Sequence, residues 1–172
     1  MSMKTYIALL RGINVGGNNL LPMKALVALM EDSGYSDVKT YIQSGNVVFK
    51  SEQLPEDLGQ LIETGFGFEP NLLLLSKDEF LEAANNNPYA SCVGKEVHFY
   101  FCKEQPTPDI ERLNTLKAET ERYEIIDKVF YLHAPDGIGR SKLVANVEKC
   151  MAVPATGRNL NTVNKLLDMI LG

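Results

Sequence analysis

One order of signals is written twice in this chain, about 90 residues apart, and it limits the available folds more than any other feature: strand, helix, strand, strand, helix. Residues 4–10 (KTYIALL) are apolar at both parities, which predicts a strand covered on both faces. Pro22 then opens a helix with Met23, Leu26, Val27 and Met30 at i, i+3, i+4 and i+7, ended by Ser33-Gly34. Residues 38–42 and 47–50 read as strands joined through Ser44-Gly45-Asn46, a hairpin signal. A helix from Pro55, turning Leu58, Leu61 and Ile62 inward and stopping near Gly65 or Gly67, leads to a buried strand at 71–75 (NLLLL).

After a linking helix, whose Ser76 and Glu79 have the spacing of a capping box, the order returns. A strand at 97–102 is followed by a helix from Thr107-Pro108, strands at 123–126 and 129–132, and a helix at 141–150. The second half shows no clear last strand and ends in a helix from Asn159 with Leu160, Val163, Leu167 and Ile170 on one face. The fold class this implies is α+β: duplicated ferredoxin-like (split β-α-β) halves, 1–90 and 91–172, packed as one body with an additional C-terminal helix.

With 172 residues, 45% of them hydrophobic and 23% charged, the chain has an ordinary globular composition and enough length for a substantial core. No stretch approaches the roughly 18 apolar residues of a membrane span, and the first residues lack the flank and cleavage site of a signal peptide. These features predict a cytoplasmic protein with no membrane partner. Cys92, Cys102 and Cys150 form no C-x-x-C pair and read as reduced thiols, and no cluster with metal-ligand spacing is present.

A net charge of −5 argues against a general nucleic-acid coat protein. The charge is uneven, however: +2 over 1–50, −7 over 51–90, −3 over 91–136 and +3 over 137–172, so the basic parts are the two ends. Those ends hold three glycine-bearing loops. Residues 11–19 (RGINVGGNN) stand between a strand and a helix, where backbone N–H groups can wrap an anion, although neither phosphate-loop spacing is present. Residues 136–142 (DGIGRSK) and 156–159 (TGRN) each set glycine and arginine before an expected helix.

A phosphorylated ligand would be held by Arg11, Arg140, Lys142 and Arg158, with the amides of Gly16, Gly17 and Gly157 completing the cradle. Gln43, Asn46 and Asn159 would read a polar edge of a nucleotide or short RNA. Each loop has a structural reading beside the functional one, since Ser141 and Asn159 are ordinary N-caps and Gln43-Ser44-Gly45-Asn46 is an ordinary turn. His98 and His133 fall among apolar strand residues and read as structural; Glu119, Glu121 and Glu124 read as a solvated face. No residue is an evident nucleophile or base, and no cofactor is implied. The alternative is a protein-interaction module that forms a homo-oligomer.

Three stretches, YIALLRGINVGG from Tyr6, YIQSGNVVF from Tyr41 and ATGRN from Ala155, resemble in sequence and order the bacterial domain-of-unknown-function 1697 family. The resemblance runs over nearly the whole chain and implies an α+β fold with ferredoxin-like halves. It implies no activity, because the family is functionally uncharacterised. Members typically carry an aromatic after the Arg-Asn pair, where this chain has Leu160.

Overall fold

The structure, a computed structural model, describes residues 3–17, 19–42 and 45–171. The chain divides into two compact units: Met1–Glu82 with Leu166–Gly172, and Ala83–Lys165.

In the first unit β1 (Lys4–Arg11), α1 (Met23–Asp32), β2 (Ser36–Tyr41), β3 (Asn46–Ser51), α2 (Leu58–Phe66) and β4 (Asn71–Ser76) build an antiparallel sheet in the order β2-β3-β1-β4. The even positions of β1, Tyr6, Ala8 and Leu10, meet Val47 and Phe49 of β3 and the inward faces of α1 and α2, including Leu26 and Ile62. The leucine, isoleucine and phenylalanine side chains among them, fully withdrawn from water, each contribute about 2 kcal/mol. Ile7 and Leu9, which point to the other face, are also fully buried. This is the two-sided burial that the uninterrupted apolar run predicts.

Gly67 ends α2 in the left-handed conformation, φ 87°, its N–H donating to the Glu63 carbonyl at 2.8 Å. The capping box opens α3 (Lys77–Asn85) as expected: Ser76 N–H donates to Glu79 Oε1 at 2.9 Å and Glu79 N–H to Ser76 Oγ at 3.1 Å.

The second unit repeats the connectivity. β5 (Val97–Cys102), α4 (Ile110–Leu116), β6 (Arg122–Ile126), β7 (Val129–His133), α5 (Lys142–Ala145), α6 (Val147–Met151) and β8 (Ala155–Asn159) give a sheet in the order β6-β7-β5-β8, and α7 (Leu160–Leu171) follows. Tyr100 and Cys102 of β5 and Phe130 and Leu132 of β7 pack with Leu113, Leu143, Val147 and Met151. Tyr123 stacks on Phe130 with ring centroids 5.3 Å apart.

Two expectations are corrected. The last strand of the second half exists: residues 155–159 pair antiparallel with β5, so this glycine-arginine stretch is a strand that runs directly into the expected C-terminal helix. The single helix expected over 141–150 is two short ones that meet at Asn146.

Candidate functional site

In the first unit β1 and β2 finish, and β3 and β4 begin, at one end of the sheet: Leu9 and Tyr41 both face Asn46, and Arg11 faces Asn71. The glycine loop leaves from this end. Its backbone alternates in sign, with positive φ at Gly12 (75°), Asn14 (52°) and Gly16 (57°), ordinary φ at Ile13 and Val15, and positive φ again at Gly17 (77°) and Asn19 (50°). Two asparagines, which tolerate this region better than most residues, hold the loop shut. Asn14 donates its side-chain N–H to the Leu21 carbonyl (3.0 Å) and accepts the Leu21 N–H at Oδ1 (2.7 Å). Asn14 N–H donates to the Asn19 carbonyl (3.1 Å), and the Asn19 side chain donates to the Gly12 carbonyl (3.0 Å). Ile13 plugs the core beneath, whereas Gly16 and Gly17 are exposed, with open space where a Cβ would stand. Arg11 is half-buried at the foot of the loop.

The β2–β3 turn packs against the same loop. Leu10 N–H donates to the Gly45 carbonyl (2.8 Å), and a Cβ on Gly45 would lie 2.8 Å from both Leu10 Cβ and Ile13 Cδ1. Gly45 is therefore required by contact as well as by its φ of 96°. Ile42, a β-branched residue with half its surface exposed, takes φ 53°, in the left-handed region. Asn46 is fully buried, and its amide donates to the Tyr41 carbonyl at 3.1 Å, so it locks the hairpin. Gln43, the other residue expected to read a polar edge, lies outside the described residues.

The remaining expected anion ligands belong to the second unit. Arg140, just before α5, and Lys142, its first residue, are exposed, and Ser141 Oγ accepts the Val144 N–H at 3.1 Å. α5 is one turn long and sums few peptide dipoles, so it adds little field at Arg140. Gly157 sits across from Tyr100, where a Cβ would come within 2.7 Å of the ring, so its glycine is a packing requirement. Arg158 faces Phe99 and donates from Nη1 to the Gly157 carbonyl at 2.8 Å; burial lowers its pKa to about 10, which leaves it cationic at neutral pH. Asn159 caps α7, with Oδ1 accepting the Thr162 N–H at 2.9 Å.

Burial pushes the Cys102 thiol up to about 11 and raises that of Cys150, so neither is a ready nucleophile. Buried His98 has its pKa lowered by desolvation, and among the described residues its Nε2 has no hydrogen-bond partner. His133 is better placed than its strand pattern suggested: Nε2 lies 3.2 Å from Glu96 Oε1, and the Tyr89 ring is 5.9 Å away, between centroids. Glu121, expected in a solvated face, is buried with its carboxylate accepting the Ala118 N–H at 2.9 Å. Among the described residues no group of three or more His, Cys, Asp or Glu could hold a metal ion, and no helix is long and apolar enough to cross a membrane.

Comparison with known proteins agrees with this architecture. A conserved bacterial protein, SP0830 from Streptococcus pneumoniae, has a solved structure that superposes with a TM-score of 0.70 at 26% identity, covering 98% of this chain and 99% of that one. No protein of curated function matches. The family described as protein of unknown function (DUF1697) matches residues 3–131, a stretch that includes the glycine loop and the β2–β3 turn. The chain belongs to that family.

Proposed function

We propose that the loop over residues 11–21 binds the phosphate of a phosphorylated ligand, a nucleotide or the end of a short RNA. The observation that carries this reading is the alternation of φ sign from Gly12 to Gly16 on an exposed loop whose Asn14 and Asn19 side chains hydrogen-bond to its backbone. Successive residues of opposite hand turn neighbouring N–H groups toward one concavity, the geometry in which backbone amides hold an oxyanion. These bonds matter because backbone held by its own side chains loses less entropy on binding. Arg11 supplies a full positive charge at its foot, in a segment whose net charge is +2. Val15 and Leu20, each more than 60% exposed, flank the concavity and offer apolar contact to the rest of the ligand.

The test is titration with pyrophosphate, with nucleotides and with 5′-phosphorylated RNA trinucleotides, followed by amide NMR shifts and thermal unfolding. Saturable shifts centred on Gly16 and Gly17 are expected, with a gain of roughly 2.7 kcal/mol at 100-fold saturation. Arg11→Gln weakens them. Amides of this loop that do not respond to any of these anions overturn the reading.

A further inference from the structure

We infer that a cavity at the opposite end of the first sheet is a binding site for a small organic cation, an aliphatic amine. The cavity, ≈ 470 Å³, lies where β1 begins, between the α1–β2 turn and the segment leading from β3 into α2. Its volume falls in the range of small-molecule sites. This site goes beyond the phosphate reading and shares no residue with the glycine loop.

Three features set the sign of the ligand. Glu52 and Asp57 line the cavity, and its described lining includes no lysine, arginine or histidine. Among the described residues Glu52 has no ion pair or hydrogen bond to its carboxylate. Asp57 stands at the N-cap position of α2 but makes no side-chain cap; its Oδ1 accepts the Tyr35 hydroxyl at 3.0 Å. The second feature is α1, which ends at this cavity with Glu31 and Asp32 and no basic residue in its last turn, so the negative end of its dipole is uncompensated. Thirdly, the neighbouring lysines do not neutralise the site: Lys50 is paired with Asp37 at 3.2 Å, and Lys4, across from Ser51 in the sheet, does not line the cavity.

The lining is mostly polar, and its smaller apolar part suits the methylenes of an organic cation. Met3, Leu54 and Pro55 give apolar surface, and the Tyr35 ring is fixed edge-on against Phe49 with centroids 5.2 Å apart. An ammonium group beside a carboxylate, with methylenes along apolar walls and an aromatic ring nearby, is the arrangement that recognises an alkylamine. A divalent metal would need several oxygen ligands converging on one point, and these carboxylates form no such group.

The experiment titrates the full chain with putrescine and spermidine at constant ionic strength, with MgCl2 and NaCl as comparison ions. The readouts are thermal unfolding and tyrosine emission, which no tryptophan obscures because the chain has none. Spermidine should stabilise saturably, and Glu52→Gln and Asp57→Asn should each weaken it roughly tenfold. Asp57→Asn keeps an acceptor for Tyr35, so folding is preserved. Stabilisation by spermidine no greater than by NaCl or MgCl2, or unchanged in the double variant, overturns the site. Pyrophosphate binding at the glycine loop is measured on the same variants; it should be unaffected, which separates failure of one site from failure of the other.

Discussion

Asn14 holds both backbone groups of Leu21, accepting its N–H at 2.7 Å and donating to its carbonyl at 3.0 Å across seven residues. One side chain thus does for the loop what a pair of ladder hydrogen bonds does for a strand. It answers why asparagines accompany the glycines: the glycines permit the positive φ values, and Asn14 and Asn19 fix which path the chain then takes.

Asn14→Ala should therefore cost about 2–4 kcal/mol, from two lost hydrogen bonds, an orphaned N–H at fully buried Leu21, and alanine held at positive φ. Asn14→Gly loses the bonds but not the conformation and should cost about 1 kcal/mol less. Urea denaturation with an unchanged m-value measures both, and equal losses in the two variants would show that φ at this position carries no strain.

The stretch from Thr156 to Asn159 shows how far the sequence could be read. Thr-Gly-Arg-Asn has the composition of a turn before a helix, because glycine and asparagine are poor strand formers. Tertiary packing overrides that preference: Tyr100 needs room opposite it, and Gly157 gives the room. The clear elements were those whose signal is local, such as the two-sided apolar run of β1 and the Ser76–Glu79 capping box. The site was partly legible. Glycines 12, 16 and 17 announced the loop, but the Asn14–Leu21 clamp depends on a contact seven residues away that no periodicity reports. The cavity at Glu52 and Asp57 gave no sequence signal beyond the −7 balance of residues 51–90, since its lining comes from three segments far apart in the chain.

Gly157→Ala tests the packing account directly. The added Cβ meets the ring edge of a buried tyrosine at 2.7 Å, and repacking Tyr100 against Phe130 should cost about 1–3 kcal/mol. Gly139→Ala is the matched control, with open space around its Cβ and an ordinary φ; it should be neutral or stabilise by about 0.5 kcal/mol through the unfolded chain. Thermal unfolding of the pair distinguishes steric demand at one position from a general intolerance of larger residues.

Stability should fall at both ends of the pH scale, for opposite reasons. Burial, with the carboxylate of Glu121 adding to it, pushes Tyr100 up to about 12, and burial with Asp57 does the same to Tyr35. A group whose pKa is higher folded than unfolded contributes its full stabilisation below the unfolded value and loses it as the pH climbs from about 10 to about 12. The unfolded chain gives up the proton first and is favoured in that window. His98 runs the other way: burial lowers its pKa, so its contribution is complete above about 6.5 and declines as acid protonates the unfolded form first. Urea midpoints taken across the alkaline window should drop for wild type and drop less for Tyr100→Phe, which has no hydroxyl to ionise. Tyrosinate absorbance in the same samples should show Tyr35 and Tyr100 titrating late, with burial also raising Tyr89 and Tyr123. A wild-type midpoint that stays level from pH 10 to 12 would mean that Tyr100 and Tyr35 are as well solvated folded as unfolded, contrary to their packing against Phe130 and Phe49.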